Sequence, residues 1–264
     1  MFQRLKLIYR AVRIFQPLLS TIKFVDWLKL LYWKEQIREN KNELYCLHLK
    51  RNIGGFIYIR KNSYIDREVL KCTFINQYHI PPFNLPNDAI ILDIGSNIGL
   101  TILHYKLLYP NCKILGYEMD KDNFELASKN CAQLANCTIV NKAVWYTNTI
   151  VSYDSSIRED GYSISDSDII SNNIEIESIT LQDILKENQL THIDFLKMDI
   201  EGAEKDILLK GDKQWMNLVR AMHIEIHDNS FFDSAMSILT QQGFYCQKDN
   251  NHWCAIFAQK NINH

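Results

Sequence analysis

The sequence Ile-Ile-Leu-Asp-Ile-Gly-Ser-Asn-Ile-Gly-Leu at residues 90–100 restricts the fold of this chain more than any other stretch. Its first five residues are mostly apolar, which is typical of a parallel strand buried on both faces. Gly95 and Gly99 then bracket a tight turn, and apolar residues recur at helical spacing from Leu100 to Leu108, shortly before Pro110. A buried strand, a glycine turn and a helix N-terminus together predict a nucleotide-binding site.

The glycine spacing and Asp93 narrow the type of nucleotide. The pattern Asp-x-Gly-x-x-x-Gly lacks the Gly-x-Gly-x-x-Gly that lets the backbone approach the pyrophosphate of a dinucleotide. The carboxylate of Asp93, at the end of the strand, would repel a pyrophosphate but attract a ligand that carries an ammonium and a sulfonium. These residues favour S-adenosylmethionine over NAD. The alternative is an ordinary strand-to-helix turn that binds no nucleotide.

Two later stretches support this interpretation. Residues 113–119 have the apolar character of a second strand ending at Glu118, whose carboxylate can accept hydrogen bonds from ribose hydroxyls. Residues 193–204 contain Lys-x-Asp-x-Glu-Gly-x-Glu, a run that closely resembles the signature of the FkbM family of methyltransferases. The resemblance extends over residues 66–260 and implies an S-adenosylmethionine-dependent O-methyltransferase.

Strand-like and helix-like segments alternate through the chain, which predicts an α/β fold with a mainly parallel, doubly wound sheet. The resemblance implies the Rossmann-like class I methyltransferase fold with a terminal antiparallel hairpin. We divide the chain into residues 1–60, a helical extension and β-hairpin, and residues 61–264, the methyltransferase domain. Further strands are expected at residues 137–144, 193–198, 221–227, 244–247 and 253–258.

The carboxyl ends of parallel strands meet at one edge of such a sheet, so the residues that follow the strands form the expected site. Asp93, the glycine turn and Glu118 are assigned to the cofactor, and the resemblance places residues 141–144 near its adenine. The predicted cofactor-binding residues are Asp93, Gly95, Ser96, Asn97, Gly99, Glu118, Met119, Asn141, Ala143 and Asp199.

Methyl transfer to a hydroxyl needs a base nearby, and residues 221–227 offer candidates because polar and apolar side chains alternate along them. His227 is the first candidate, since a neutral imidazole is available near pH 7. Asp199 and Glu225 are the next candidates. Glu201 completes the predicted catalytic set because it follows the same strand as Asp199.

We expect neither a metal nor a nucleic acid to bind. His223, Glu225 and His227 would spread three metal ligands along a single strand, and a formal net charge of −2 provides no overall basic field for nucleic acid. The resemblance implies a small-molecule, nucleotide-linked or lipid-linked sugar acceptor, with a sugar hydroxyl of a bacterial surface glycan favoured. A lipid, polyketide or other natural product is the alternative acceptor. A cofactor-binding scaffold without turnover is the alternative from another class.

Residues 1–34 contain five basic residues before the first acidic residue, Asp26, with apolar residues near helical spacing between them; the five are Arg4, Lys6, Arg10, Arg13 and Lys23. We interpret them as amphipathic helices packed on the domain or on a second subunit, with an anionic membrane surface as the alternative. No apolar run is long enough for a signal peptide or a membrane span. Together with 7 unpatterned cysteines, this predicts a cytoplasmic protein, free or at the inner membrane face. Homo-oligomerisation stays open.

Residues 145–172 are polar and rich in Ser and Asp. They predict an irregular or short-stranded insertion that faces the substrate, with disorder as the alternative. We expect acceptor choice to depend on this segment and on residues 1–60, over which the family pattern gives no information.

Overall fold

A seven-stranded, mainly parallel sheet lies at the centre of the computed structural model, which describes residues 9, 11–31, 43–50, 55–61, 63–154, 164–165 and 173–260. The strands in chain order are β1 (Leu44–His48), β2 (Phe56–Arg60), β3 (Ile90–Ile94), β4 (Lys113–Tyr117), β5 (Cys137–Val140), β6 (Ala143–Val144), β7 (Ile150–Asp154), β8 (Ile164–Ser165), β9 (Asn173–Ile179), β10 (Phe195–Met198), β11 (Ala221–Glu225), β12 (Phe244–Lys248) and β13 (Ala255–Lys260).

The central sheet has the strand order β12-β13-β11-β10-β3-β4-β5. From β11 to β5 all neighbouring strands are parallel, whereas β13 is antiparallel to both β11 and β12. This arrangement confirms the predicted class I methyltransferase fold with its terminal antiparallel hairpin. Because β13 runs opposite to β11, it begins at the edge of the sheet where the parallel strands end.

Helices cover both faces of the sheet. They are α1 (Phe24–Leu31), α2 (Tyr64–Lys71), α3 (Leu100–Leu108), α4 (Lys121–Cys131), α5 (Leu181–Glu187), α6 (Ala203–Lys210) and α7 (Phe232–Gln241). Short 3₁₀ segments occupy Gln16–Ser20, Gln214–Leu218 and Asn229–Phe231, and a π-helix continues α2 over Cys72–Asn76. Side chains cap the N-termini of α4 and α5, because Asp120 accepts from the N–H of Asn123 and Thr180 accepts from the N–H of Asp183.

The central strands bury side chains on both faces, which explains why residues 90–94 are almost uniformly apolar. Ile91 belongs to the same hydrophobic cluster as Leu103 of α3. Leu92 belongs to a second cluster with Ile184 of α5. The alternation of successive residues between two clusters is the packing expected of a doubly wound sheet.

The described N-terminal residues pack onto the domain. Phe15, Leu18 and Trp27 share a hydrophobic cluster with Ile91 of the central sheet. The predicted hairpin is confirmed as β1 paired antiparallel with β2, and the N–H of Tyr58 in β2 donates to Asn130 Oδ1 at 2.6 Å. This packing agrees with the first interpretation of the segment, while the domain boundary near residue 60 stays a prediction. Among the described residues, no helix is long and apolar enough to cross a bilayer.

Three predicted strands are shorter than expected, and one of them, predicted at 193–198, begins only at Phe195 as β10. The strand at 137–144 is divided, because β6 leaves the central sheet and pairs with β9 in a separate four-stranded sheet of order β6-β9-β7-β8. The strand at 221–227 ends at Glu225, opposite the first residue of β13, Ala255, and one further backbone hydrogen bond follows, from the N–H of Ile226 to the carbonyl oxygen of Cys254 at 2.8 Å. Within the predicted insertion, β7 and β8 are the short strands, while residues 155–163 and 166–172 lie outside the described residues.

Candidate active site

The turn after β3 brings two distant parts of the chain into contact. Gly95 has φ 78°, and a Cβ there would lie 1.8 Å from the carbonyl oxygen of Asp199, so only glycine fits. Asn97 also adopts a left-handed conformation, with φ 48°, and its Oδ1 accepts from the N–H of Ile98 at 2.7 Å. The turn therefore leads the backbone into the N-terminus of α3, a position suited to a polar ligand.

The carboxylate of Glu118 is fixed beside this turn. Its Oε2 accepts from the N–H of Asn97 at 2.7 Å and its Oε1 from the N–H of Asp120 at 2.9 Å. Burial raises the pKa of Glu118 to about 7, against the lowering effect of these backbone hydrogen bonds. The side chain of Asn141 donates to the carbonyl oxygens of Glu118 and Met119, both at 2.9 Å, and so holds the loop after β4.

A buried lysine links the ends of β3 and β10. Lys197 Nζ donates to the carbonyl oxygen of Gly95 at 2.9 Å and lies 3.3 Å from Asp199 Oδ2 and 3.6 Å from Asp93 Oδ1. Burial acts to lower the pKa of Lys197, but the two carboxylates outweigh it and raise the pKa above its usual range. Asp93 is itself fully buried, and its Oδ2 accepts from Thr101 Oγ1 at 2.6 Å. The negative charge of Asp93 therefore balances the positive charge of Lys197.

A cavity of about 320 Å³ opens at this edge of the sheet, within the size range of small-molecule sites. Nine of the residues predicted for the site line it, namely Gly95, Ser96, Asn97, Glu118, Met119, Ala143, Asp199, Glu201 and Glu225. Four others lie outside its wall, namely Asp93, Gly99, Asn141 and His227. Three of these four still act on the wall, because Asp93 compensates Lys197, Asn141 holds the loop after β4 and His227 contacts Asp199 and Glu201.

His227 lies in a cluster of carboxylates. Its Nε2 is 3.2 Å from Glu201 Oε2 and 3.7 Å from Asp199 Oδ1, and its Nδ1 is 3.2 Å from Glu204 Oε1. Burial acts to lower the pKa of His227, but the carboxylates, Glu204 foremost, raise it to about 10. The ring is then positively charged near pH 7, so this geometry does not favour the neutral imidazole on which its predicted role as the base depends.

His252 and Tyr78 line the cavity but are absent from the sequence-based prediction. His252 Nδ1 is 3.3 Å from Glu225 Oε1, and its ring stacks on that of Tyr78 with centroids 4.7 Å apart and planes 4° apart. Burial acts to lower the pKa of His252, but Cys254 and Glu225 outweigh this and raise it to about 10. The predicted terminal hairpin could have indicated that His252 lies in the site, because an antiparallel last strand begins at the edge of the sheet where the parallel strands end. Tyr78 follows a left-handed residue, Gln77 with φ 54°, at the end of the π-helix, and no sequence pattern indicates this.

The family model of the methyltransferase FkbM domain matches residues 93–246, which is more than half of the chain. The chain belongs to the FkbM methyltransferase family. The match begins at Asp93 and includes Glu118, the signature at Lys197–Glu204 and all of β11, but it excludes Tyr78 and His252 of the cavity wall.

Relatives of this FkbM methyltransferase occur in fungi and bacteria. Methyltransferase sdnD of Sordaria araneosa is 28% identical over 64% of this chain and 79% of the relative. Methyltransferase 1 of Beauveria bassiana is 26% identical over 74% of this chain and 84% of the relative. The 2-O-methyltransferase NoeI of Sinorhizobium fredii is 23% identical over 57% of this chain and 68% of the relative.

Among solved structures, methyltransferase FkbM from Methylobacillus flagellatus aligns with a TM-score of 0.43 at 12% identity, over 96% of this chain and 59% of that one. Aeropyrum pernix fibrillarin with natively bound S-adenosyl-L-methionine aligns with a TM-score of 0.42 at 13% identity, over 84% of each chain. At these scores the likeness adds nothing to the family match.

This FkbM enzyme is a methyltransferase whose cofactor is S-adenosylmethionine, and the residues of the cavity fit that cofactor. The backbone turn at Gly95, Ser96 and Asn97 lines the cavity beside Glu118, whose carboxylate can accept ribose hydroxyls. Met119 and Ala143 offer apolar surface in the same wall, and Asp199 adds negative charge for a cationic ligand. S-adenosylmethionine supplies a methyl group on a sulfonium, so the protein has only to align an acceptor and remove its proton.

Proposed function

We propose that this methyltransferase acts on a hydroxyl oxygen of a sugar in the synthesis of a bacterial surface glycan. The observation that carries the proposal is the Glu225–His252 pair, a carboxylate and an imidazole 3.3 Å apart in the wall of the cavity. The relationship to NoeI, a 2-O-methyltransferase, supports oxygen as the methylated atom.

We call Glu68, Cys72, Tyr78, Glu225 and His252 the acceptor half of the cavity, and Gly95, Ser96, Asn97, Glu118, Met119 and Ala143 the cofactor half. The acceptor half joins an aromatic face, the Tyr78 ring stacked on His252, to carboxylates that accept hydrogen bonds. Sugars present hydroxyl donors around an apolar ring face, and this combination of groups is complementary to them.

In the proposed reaction, Glu225 accepts a hydrogen bond from the acceptor hydroxyl and takes its proton while the new oxygen–methyl bond forms. S-adenosylmethionine would supply the methyl group, and the electron pair of its carbon–sulfur bond would stay on the sulfur of the departing S-adenosylhomocysteine. His252, positively charged near neutral pH, holds the Glu225 carboxylate in place. Glu225 was a secondary candidate from the sequence, and here it replaces His227 as the proposed base.

A labelled-methyl assay tests the reaction class. The enzyme is incubated with S-adenosylmethionine and a panel of methyl glycosides, nucleotide-linked sugars, lipid-linked saccharides and sugar-free lipid and polyketide alcohols. Mass spectrometry then locates the methyl group. We expect an O-methyl ether on a sugar; methylation of nitrogen or carbon, or turnover restricted to the sugar-free alcohols, contradicts the proposal.

Replacement of the proposed base tests the mechanism. Glu225→Gln keeps the shape of the side chain but cannot take a proton, and general bases contribute about 10²–10⁴-fold. We therefore expect kcat to fall by about 10² or more, while calorimetry shows an unchanged affinity for S-adenosylhomocysteine. The matched control, Glu125→Gln on the exposed face of α4, should leave both values unchanged. Equal turnover in the two variants would remove Glu225 from the mechanism.

A further inference from the structure

We infer that Asp199, Glu201 and His227 form a binding site for a divalent first-row metal ion. One ligand atom from each of the three residues lies within 4.8 Å of the other two. Ligands around a metal at about 2.1 Å are separated by about 3–4 Å, so the three atoms need only small shifts. Two carboxylates and one imidazole form a mixed oxygen and nitrogen donor set of the type that binds Mn²⁺, Fe²⁺ or Zn²⁺.

The orientation of the His227 ring supports this inference. Its Nδ1 lies 3.2 Å from Glu204 Oε1, which leaves Nε2 directed at Asp199 Oδ1 and Glu201 Oε2. Glu204 is 1% exposed, and its two oxygens accept from the N–H groups of Ile200 and Gly202, both at 2.8 Å. Histidines that ligate metals usually direct their second nitrogen at a carboxylate held in this way.

The two oxygens of Asp199 have separate partners. Oδ2 faces Lys197 Nζ at 3.3 Å, and Oδ1 faces His227. An ion bound through Oδ1 therefore leaves intact the ion pair with Lys197, which holds the turn after β3. The same carboxylate can serve the turn and the metal together.

The proposed site is open towards the cavity, because Asp199 and Glu201 both line it. The side chains of Asp199, Glu201 and His227 are 28%, 32% and 26% exposed, which leaves room for further ligands. We place an oxygen of the acceptor at one of these open positions, where the ion would orient it and favour its deprotonated form. This last step rests on the proposed function, whereas binding of the ion does not.

Electron paramagnetic resonance with MnCl₂ as the probe tests the site on the full chain without an acceptor. We expect one bound Mn²⁺ per chain and a coupling to an imidazole nitrogen in the pulsed spectrum. Glu201→Gln and His227→Gln should each weaken binding at least tenfold. Asp206→Asn is the matched control, because it removes one carboxylate of α6 that pairs with Lys210 outside the cluster.

Three results would overturn the inference: no bound Mn²⁺, no nitrogen coupling, or equal affinity in Glu201→Gln and Asp206→Asn. The nitrogen coupling is measured on the unaltered protein, so the test survives a variant that does not fold. Methyl transfer is scored separately with and without a chelator. Mn²⁺ binding without any hydroxyl methylation would refute the proposed function and leave the metal site standing. Hydroxyl methylation without Mn²⁺ binding would refute the metal site and leave the proposed function standing.

Discussion

The cofactor half and the acceptor half of the cavity are held in place by different kinds of contact. In the cofactor half, backbone groups fix the side chains, as when two N–H groups bind the carboxylate of Glu118. In the acceptor half, side chains fix one another, as when His252 pairs with Glu225 and stacks on Tyr78. A backbone-fixed group changes only with the fold, whereas contacts between side chains can change one residue at a time. Single substitutions can therefore alter the acceptor half without a change in the backbone that holds the cofactor half.

The largest expected effect follows from the close approach of Gly95 to Asp199. In Gly95→Ala the new Cβ would lie 1.8 Å from a backbone oxygen, and overpacking of this kind costs about 1–3 kcal/mol or more. We expect loss of measurable S-adenosylhomocysteine binding by calorimetry and a lower melting temperature. The control Gly243→Ala has a similar φ of 84° but no atom within 4 Å of its Cβ. Similar losses in both variants would show that backbone strain, and not the contact with Asp199, is responsible.

An intermediate effect is expected for Glu118→Gln. Hydrogen bonds to a charged group contribute about 1.5–3 kcal/mol, so S-adenosylhomocysteine should bind about tenfold or more weakly, as measured by calorimetry. Because the pKa of Glu118 is raised to about 7, its carboxylate gains a proton as the pH falls through that value. The affinity of the unaltered enzyme should therefore fall between pH 8 and pH 6, and this slope should disappear in Glu118→Gln. A slope that persists in the variant would assign the titration to another group.

The smallest effect is expected in the acceptor half. Tyr78→Ala removes a stacked ring, and such pairs contribute about 0.5–1.5 kcal/mol. We expect the KM of the acceptor to rise about 2–10-fold, with unchanged affinity for S-adenosylhomocysteine. Tyr245→Ala, at an exposed position of β12, is the control. A loss of cofactor affinity in Tyr78→Ala would mean that the two halves are not separate.

The sequence predicts the cofactor half better than the acceptor half for a physical reason. Gly95 and Glu118 belong to short contiguous motifs whose spacing reflects strand ends and a helix start. Tyr78, Glu225 and His252 come from three segments that only the tertiary fold brings together. The positive charge on His227 could not be predicted from the sequence either, because it depends on three carboxylates that surround the ring only in the folded chain.

The direction of β13 has a consequence for the order in which the cavity is built during translation. Chains fold from their N-terminus as they are synthesised. All residues of the cofactor half have been added by Ala143, but Lys197 and Asp199, which hold the turn after β3, follow more than fifty residues later, and His252 follows more than a hundred residues later. In a ribosome-bound chain the cofactor half therefore stays unsupported until β10 has been added, and the acceptor half stays incomplete until the segment that leads into β13 follows.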